Sequence, residues 1–564
     1  MKSTSFSADP VTLEVLRNAL QMIAEEMSAN LVRTSYSPNI KERRDSSCAL
    51  FDPHGALVAQ AENIPVHLGA MPRAVGAVLK QYDLEQLSPG DALIHNVPYG
   101  GGVHLPDITM VSPVYGEEGD LIGFVANRAH HADIGGTYPG SLSAESRSIF
   151  AEGLQIPPVK LVSGGDINEE VLNLILTNVR TPGEREGDLR AQLAANFTGK
   201  KRLEKLVQKH GREKILSIYE DLITYSEKRM RKRITDLPSG TYTANDLMDG
   251  DGLGNEDLKI QVKIRIEESE IYIDFKGTCS QSEGPVNATI AVTESATYYA
   301  LRATTDPTIP PNQGCYRPLN IEVPEGSLLN PSKPAPVVGG NLETSQRIVD
   351  VILSALAQAD LSGVPACSHG SMNNITFGRA AAKSSSSFAF YETIGGGLGA
   401  RPAQDGVDGI HCHMTNTRNT PVEAIEQSYP LRVECYELRK DSGGAGKYRG
   451  GMGLRRDIRV LENGTEFSLL SERRTHRPQG LNGGESGKSG IDQVTREGRK
   501  QTIPGKAVLE LDQGDLVSIR TPGGGGYGAP TLRCLEAIKR DVKEGRLSEE
   551  EARKRYPQYR EEAG

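Results

Sequence analysis

The sequence predicts an α+β protein of several domains, with antiparallel sheets in its central and C-terminal parts and helical segments at both ends. Three observations lead to this class. Apolar residues repeat at helical spacing near the N-terminus, they alternate strictly between residues 258 and 275, and no repeat of 20–50 residues suggests a solenoid or propeller. At about 100–200 residues per domain, a chain of 564 residues gives about three to five domains.

The first predicted element is an N-terminal helix. Asp9 is a suitable N-cap and Pro10 suits the first helical position. One face of this helix carries the apolar residues Leu16, Ala19, Leu20, Ile23, Met27 and Leu31. A β-hairpin follows, because CALF and ALVAQ flank the turn at residues 52–55 with proline in its second position. Residues 172–234 then predict a long helical region that ends near Pro238.

The central part of the chain changes to a period of two. Residues 258–266 and 271–275 alternate apolar and polar side chains around the short turn EES, which predicts an antiparallel hairpin with one solvated face. The proline-rich stretch 324–336 indicates a boundary, and residues 344–360 predict a helix with Thr344 as a possible cap.

The remaining chain predicts short strands with glycine-rich turns over residues 376–530 and two helices at about 531–544 and 549–556. Gly545 suits the C′ position of the first of these helices, and Ser548 with Glu551 forms a capping box for the second. We therefore divide the chain into an N-terminal α/β domain (1–237), a β-rich domain (238–335), a mixed α/β domain (336–530) and a C-terminal helical hairpin (531–564).

Composition excludes several classes of function. The net charge of −9 and the lack of a long basic run argue against a nucleic-acid partner. The chain has no apolar stretch of about 18 residues and no readable secretory signal, so we expect no membrane span and a cytoplasmic location. Its seven scattered cysteines form no CxxC pair, which is typical of reduced cytosolic thiols.

Two glycine-rich loops imitate nucleotide-binding motifs. Gly523, Gly525 and Gly528 spell G-x-G-x-x-G, but the second strand with its acidic residue is missing after the helix. The stretch 482–489 lacks the first glycine of a phosphate loop and the strand that should precede it. We interpret both as turns, so this chain is expected to carry no ATP site of its own.

Histidine and aspartate residues cluster between positions 95 and 133. His104 and Asp107 lie three residues apart, and His130 and Asp133 repeat this spacing. Each pair alone is readily explained as a structural hydrogen bond, whereas two pairs bordered by glycines also suit a zinc, manganese or iron ion. If residues 121–129 continue as a strand, His130 and His131 point to opposite faces. We favour His130 as the ligand with His131 as the alternative, and Asp45 as a further ligand.

Several long motifs resemble the hydantoinase B/oxoprolinase family. They are IPVHLGAMP (64–72), GGVHLPDI (101–108), RAHHADIGGTYPGS (128–141), HMTNTRNTPVEAIEQSYPLR (413–432), DSGGAGKYRGGMG (441–453) and the closing LSEEEARKRY (547–556). The family includes B-type chains of N-methylhydantoinases, the C-terminal half of 5-oxoprolinase and alpha-type subunits of acetone carboxylases.

The resemblance implies an A-type partner with an actin-like ATP site that phosphorylates the carbonyl or enol oxygen of a small-molecule substrate. It also implies a hetero-oligomer, such as a dimer of heterodimers, and a divalent metal on this chain. Matching motif to motif, the metal site falls on Asp45, His104, Asp107 and His130 or His131, which are the expected catalytic residues. The expected reaction is ATP-dependent ring opening of a cyclic amide such as a hydantoin, lactam or oxoproline. The alternatives are the alpha-type subunit of a ketone carboxylase and a non-catalytic scaffold of an ATPase partner.

Three further residues are weaker candidates for substrate binding. Arg44 could hold a phosphate or carboxylate, although we favour an exposed basic pair with Arg43 as the explanation. His67 could line the pocket or be a core histidine, and Asn341 could contact substrate or cap a helix. His411 and His413 could also be second ligands, but the resemblance does not single them out.

Overall fold

The computed structural model describes residues 8–61, 63–359, 363–379 and 387–563. Within these ranges the chain combines helices with mainly antiparallel sheets, which confirms the predicted α+β class. The last residue of the predicted helix 344–360 lies outside the described residues, as do the first seven residues of the chain. The proposed division into four domains stays a prediction.

The first sheet has seven strands in the order β2-β1-β5-β4-β3-β6-β7. They are β1 (Ser46–Phe51), β2 (Leu57–Gln60), β3 (Ala92–His95), β4 (Asp107–Tyr115), β5 (Leu121–His130), β6 (Val159–Ser163) and β7 (Asp166–Ile167). The predicted N-terminal hairpin is therefore present as the antiparallel pair of β1 and β2.

Helices cover both faces of the first sheet. They are α1 (Pro10–Thr34), α2 (Pro38–Lys41), α3 (Pro65–Gln81), α4 (Ile149–Glu152), α5 (Glu169–Thr177), α6 (Pro182–His210) and α7 (Arg212–Thr235). Asp9 caps α1 as predicted, because its side chain accepts hydrogen bonds from two backbone N–H groups of the first turn. Successive residues of β1 point to opposite faces: Cys48 and Leu50 pack with α1, α6 and α7, and Ala49 and Phe51 pack on the side of α3.

The second sheet joins the core on the α3 side. Its order is β11-β10-β9-β8, formed by β8 (Gly240–Gly250), β9 (Glu256–Glu267), β10 (Glu270–Asp274) and β11 (Leu319–Glu322). The predicted hairpin is β9 and β10, and its alternating apolar residues are buried except for the half-buried Leu258. Helices α8 (Ile290–Thr305), α9 (Gln313–Tyr316) and α10 (Ser345–Ala357) complete this part.

A π-helical turn at Gly340–Thr344 precedes α10. The predicted cap at Thr344 is wrong, because this residue has helical dihedral angles (φ −67°, ψ −35°). Its hydroxyl instead donates to the carbonyl of Val286 at 2.5 Å. A Cβ at Gly340 would lie 1.8 Å from the carbonyl oxygen of Asn287, so only glycine allows this turn to pack where it does. Such turns occur frequently at functional sites.

Two sheets in the C-terminal part pack face to face around an apolar core. The third sheet has the order β13-β12-β16-β19 and consists of β12 (Asn374–Arg379), β13 (Phe388–Thr393), β16 (Thr465–Leu470) and β19 (Lys506–Leu511). The fourth sheet has the order β14-β15-β20-β17-β18 and consists of β14 (Leu431–Leu438), β15 (Leu454–Val460), β17 (Ile491–Arg496), β18 (Arg499–Ile503) and β20 (Leu516–Arg520). The helices of this part are α11 (Val422–Ser428), α12 (Leu535–Lys543), α13 (Glu549–Arg555) and α14 (Pro557–Ala563).

Glycine-rich segments between these strands pack backbone against backbone. We call the segments 396–400, 442–451, 480–487 and 523–528 the glycine bundle. Gly524 N donates to Gly451 O at 2.9 Å, and Gly444 N donates to Gly524 O at 2.9 Å. A Cβ at Gly487 would lie 2.3 Å from Gly523 O, so the two loops that imitate nucleotide motifs pack against each other. Close packing of backbones accounts for most glycines of both loops, and Gly483 and Gly528 have positive φ angles of 89° and 71°.

No helix in the described part of the chain is both long enough and apolar enough to cross a membrane.

Candidate active site

The ends of adjacent strands bring the predicted site residues together. Asp107 begins β4 and pairs in register with His130, the last residue of β5. His104 lies in the turn that leads into β4. Asp45 comes directly before β1, and its carbonyl accepts a hydrogen bond from His130 N at 3.0 Å. Because β1, β5 and β4 are neighbours, one edge of the first sheet collects all four side chains.

His67 completes this group from above the sheet. It lies in the first turn of α3, and its Nε2 is 3.2 Å from Asp107 Oδ1 and 3.9 Å from Asp45 Oδ1. On the other side of the carboxylate, His104 Nδ1 is 3.1 Å from Asp107 Oδ2. We call Asp45, His67, His104, Asp107 and His130 the histidine–aspartate cluster.

The cluster has polar atoms that the protein leaves unsatisfied. Both oxygens of Asp107, both ring nitrogens of His104 and Nε2 of His130 are buried without a hydrogen-bond partner among the described residues, since the short contacts lack hydrogen-bond geometry. Buried polar atoms are nearly always paired in proteins. Apart from the close contacts of Asp107 with His67 and His104, these atoms are therefore free to accept a further ligand.

The residue types and spacings fit a divalent ion only in part. Tetrahedral ligands about 2.0–2.2 Å from a zinc ion lie about 3.3–3.6 Å from one another, and the two contacts of Asp107, at 3.1 and 3.2 Å, are slightly shorter. Histidine and carboxylate ligands also suit zinc, manganese or iron. However, each oxygen of Asp107 faces a different histidine, and no three His, Cys, Asp or Glu side chains among the described residues are arranged to hold one ion.

Charge and burial shape the protonation of the cluster. Burial raises the pKa of Asp45, which Arg43 and His67 only partly oppose. Burial would also raise the pKa of Asp107, but the neighbouring His67 and His104 hold it well below its usual range. Burial and His104 lower the pKa of His130. An ionised Asp107 and a neutral His130 are the forms in which these groups bind a metal.

Two neighbours fix the ring of His130. The Asn39 amide nitrogen donates to His130 O at 2.6 Å and lies 3.1 Å from its Nδ1. Tyr391 stacks on the ring, with centroids 4.6 Å apart. Nε2 is then the ring nitrogen left for a ligand.

His131 points away from the cluster. Its Nε2 is 3.0 Å from Gln192 Oε1 on α6, and burial lowers its pKa to about 4. Asp133 also lies elsewhere, because its carboxylate accepts hydrogen bonds from Gly135 N and Gly140 N and binds Arg180. Of the second His-x-x-Asp pair, His130 therefore belongs to the cluster and Asp133 does not.

A small cavity of about 20 Å³ borders the cluster, which is room for about one water molecule. Asp45, Ile64, Val66, His67 and His130 line it from the N-terminal part of the chain. The other lining residues come from the C-terminal part and are Asn341, Leu342, Met372, Tyr391, Thr393, Met414, Thr415 and Thr417. Sequence reasoning missed Tyr391 and the three threonines, although the HMTNT segment is one of the motifs that carry the family resemblance.

The three weaker candidates have different outcomes. Asn341 lies in the π-helical turn, and its buried Oδ1 has no hydrogen-bond partner among the described residues. His67 belongs to the cluster rather than to an apolar core. Arg44 is exposed in a left-handed turn (φ 57°) after α2 and does not line the cavity, so its role in substrate binding stays a prediction. Its neighbour Arg43 is the buried one.

A second cavity of about 480 Å³ adjoins the first and shares Thr415 with it. His411 and His413 line this larger cavity together with Tyr298 and Tyr299. These two histidines therefore line the adjoining cavity and are not part of the cluster.

The fold and site place the chain in a known class of proteins. It belongs to the hydantoinase B/oxoprolinase family, whose sequence profile matches residues 9–530. Among curated relatives, the chain is 41% identical to 5-oxoprolinase 1 of Arabidopsis thaliana, over 93% of this chain and 42% of that protein. It is 33% identical to the B chain of a putative D-/L-hydantoinase of Pseudomonas sp. strain NS671, over 96% of this chain and 94% of that protein.

Solved structures show the same fold. The ATP-dependent caprolactamase from Pseudomonas jessenii matches with a TM-score of 0.90 and 30% identity, over 97% of this chain and 96% of that chain. Acetone carboxylase in its nucleotide-free form matches with a TM-score of 0.90 at 19% identity, over 98% of this chain and 80% of that chain. The second likeness is one of fold alone. The chain spans about two fifths of the length of the plant 5-oxoprolinase.

Proposed function

We propose that this chain completes the ring opening of a cyclic amide after an ATP-binding partner has phosphorylated the amide oxygen. The observation that carries this proposal is the buried histidine–aspartate cluster with its unsatisfied polar atoms. Three of its members, Asp45, His67 and His130, line the small cavity, and so does Asn341, whose buried Oδ1 is also unsatisfied. Family membership and the names of the hydantoinase, oxoprolinase and caprolactamase relatives support it.

The chemistry needs activation from two directions. An amide carbon is a poor electrophile, and phosphorylation of its oxygen makes it more reactive. We propose that Asp45, His104, Asp107 and His130, with His67 beside them, would hold a zinc, manganese or iron ion once their side chains move together, because their present arrangement is not that of a ligand set. Such an ion would lower the pKa of a water molecule toward about 7. The net change is hydrolysis of one amide and one ATP, with one water consumed in each.

The residues of this chain have separate tasks in that reaction. The carboxylates of Asp45 and Asp107 supply the negative charge that retains a divalent cation in a buried site. Asn341, whose buried Oδ1 has no partner among the described residues, would accept a hydrogen bond from the ring N–H of the substrate. Asn39 and Tyr391 hold His130 in one orientation, so little reorganisation accompanies ligand binding.

We place the ATP site on an A-type partner chain. The two nucleotide-like loops here pack into the glycine bundle, and the plant 5-oxoprolinase has more than half of its length beyond the region that this chain matches. A cytoplasmic hetero-oligomer, such as a dimer of heterodimers, is the assembly that we propose.

The test is to purify the chain with its A-type partner and to measure ADP release with hydantoins, with lactams, and with a ketone plus bicarbonate. We expect ADP and the ring-opened acid to appear together with a cyclic amide. ATP turnover stimulated only by the ketone would replace this proposal with a carboxylase alpha-type subunit. Absence of bound metal, with full partner activity after Asp107→Ala, would instead indicate a scaffold.

A further inference from the structure

We infer that Thr393, Thr415 and Thr417 form a hydrogen-bond-donating wall that holds the negatively charged oxygen on the reacting carbon of the substrate. The inference rests on the proposed function and adds to it the group that stabilises developing charge. We call these three residues the threonine wall.

The threonine wall lines the same small cavity as Asp45, His67 and His130. Its members come from the end of β13 and from the segment before α11, so two separate stretches of the C-terminal part supply them. Their exposed fractions are 2%, 4% and 7%. A hydroxyl that is nearly excluded from water in such a place must bond to protein or to a ligand.

The threonine wall has at least one hydroxyl proton that is not used in hydrogen bonds between its own members. Thr393 Oγ1 and Thr417 Oγ1 are 2.8 Å apart, and Thr415 Oγ1 is 3.5 Å from Thr417 Oγ1. Three hydroxyls carry three protons, whereas two contacts between them use at most two. Whichever atoms donate within the group, at least one proton remains for another acceptor.

Arg43 makes the spare proton a better donor. This fully buried guanidinium donates to Thr393 Oγ1 at 2.8 Å and to Tyr391 O at 3.1 Å. Arginine can only donate, so it cannot accept the proton that the threonines leave over. A hydroxyl that accepts from a cation becomes a stronger donor in turn, because hydrogen bonds in a chain polarise one another. The wall is therefore suited to an anionic oxygen.

The reaction places such an oxygen at the substrate carbon. Water adds its oxygen to the carbon of the O-phosphorylated amide, the ring C–N bond breaks, and both protons of the water end on the nitrogen. The carbon is left as an acyl phosphate, which a second water cleaves to carboxylate and phosphate. Negative charge develops on oxygen bound to this carbon at each addition, and fixed donors at that point stabilise it.

The test uses Thr417→Val and the double variant Thr393→Val/Thr417→Val in the complex with the partner. Ring-opened acid and ADP are measured separately. We expect kcat for the acid to fall about 10²-fold, the ratio of ADP to acid to rise, and the bound metal to stay the same. Thr417→Ser, which retains the hydroxyl, should recover most of the loss. Thr420→Val is the matched control, because Thr420 is buried but does not line the cavity.

Unchanged kcat in the double variant would overturn the inference and leave the proposed function standing. A wild-type complex that opens no cyclic amide would overturn the proposed function itself. If the double variant no longer shows a cooperative thermal transition, kcat of Thr415→Val tests the inference instead. This variant should fold, since the Thr415 hydroxyl makes only the longest contact in the threonine wall.

Discussion

The ring of Tyr391 lies nearly parallel to that of His130, with centroids 4.6 Å apart and planes inclined by 11°. His130 ends a strand of the first sheet, whereas Tyr391 belongs to β13 of the third. The Tyr391 hydroxyl donates to Asn374 Oδ1 at 3.0 Å, so the ring is held from the C-terminal side as well. The candidate site therefore depends on packing between two parts of the chain that fold around different sheets.

Truncation of this aromatic side chain should disturb the cluster. Tyr391→Ala removes the stacking partner of His130 and leaves a cavity, at a cost of about 3–5 kcal/mol. Tyr391→Phe keeps the stacking and loses one hydrogen bond, a cost of about 1 kcal/mol. Thermal melting and elemental analysis of both variants check this, and equal metal loss in both would contradict the role given to the stacked ring.

The adjacent histidines His130 and His131 offer a matched test of the metal site. His130→Gln should lower the metal content of the purified chain, because Nε2 borders the cluster. His131→Gln should retain it, because His131 contacts Gln192 on the opposite side of the sheet. Elemental analysis after dialysis against a chelator and reloading with zinc, manganese or iron measures both. Retention of metal by His130→Gln would show that the ligand set is wrong.

Substitutions of the neighbouring residues Arg43 and Arg44 should differ sharply in their effects on stability and activity. Arg43→Lys cannot reproduce the three hydrogen bonds to Asn39 Oδ1, Tyr391 O and Thr393 Oγ1, and each lost bond from a charged group costs about 1.5–3 kcal/mol. Arg44→Lys changes an exposed side chain and should leave the melting temperature and kcat as they are. A fall in activity only for Arg44→Lys would restore the substrate-binding hypothesis for that residue.

The buried carboxyl group of Glu152 in α4 should make the free energy of unfolding depend on pH. Burial raises the pKa of Glu152 to about 8, against the opposing hydrogen bonds from Val338 N and Val337 N. The folded chain then keeps this proton up to about pH 8, whereas the unfolded chain releases it near the ordinary pKa of 4.5. Folded protein binds more protons in this window, so the group lowers the free energy of unfolding as pH rises, by up to about 1.4 kcal/mol per pH unit.

Glu152→Gln removes that dependence. The melting temperature of the variant relative to wild type should rise steadily from pH 5 to pH 8, measured by calorimetry. The exposed Glu118→Gln is the control and should show a constant difference. A difference for Glu152→Gln that falls with pH would mean that the carboxyl is ionised in the folded chain.

Replacement of a glycine by alanine should lower the stability of the protein in the glycine bundle and raise it in a helix. A Cβ at Gly524 would lie 2.2 Å from Leu398 O, so Gly524→Ala must displace backbone and should strongly lower the melting temperature and soluble yield. Gly76 lies in α3 with nothing within 4 Å of its Cβ position, so Gly76→Ala should stabilise by about 0.5–1 kcal/mol. Equal tolerance of both changes would contradict the close packing described for the bundle.

Local patterns in the sequence predict the elements better than the site. The helix from Pro10 and the strands β9 and β10 are present, and they are predictable because capping residues and the spacing of apolar residues are local features of the sequence. The cluster is predicted in part, because His104, Asp107 and His130 lie within 27 residues on adjacent strands. The threonine wall and Tyr391 are missed, since their approach to His130 is set by packing between sheets far apart in sequence.

The π-helical turn shows the same limit on a smaller scale. Thr344 is a residue type that suits a cap, but only at the start of a helix of normal pitch. The insertion of a wider turn shifts the start of α10 and directs Asn341 to the cavity. The close approach of Gly340 to the backbone of Asn287 is one constraint on that turn, and a close approach leaves no periodic signal in the sequence.

The glycine bundle also constrains the order in which the polypeptide can acquire its structure during synthesis. Its final segment, 523–528, supplies hydrogen-bond partners to Gly444, Ala400 and Cys367. Because glycine backbones bury no side chains, the earlier segments have little to hold them in place until those partners arrive. The bundle therefore completes its backbone hydrogen bonds only once residues 523–528 have been synthesised, and nascent chains that stop short of them leave Gly444 N and Ala400 N without these partners.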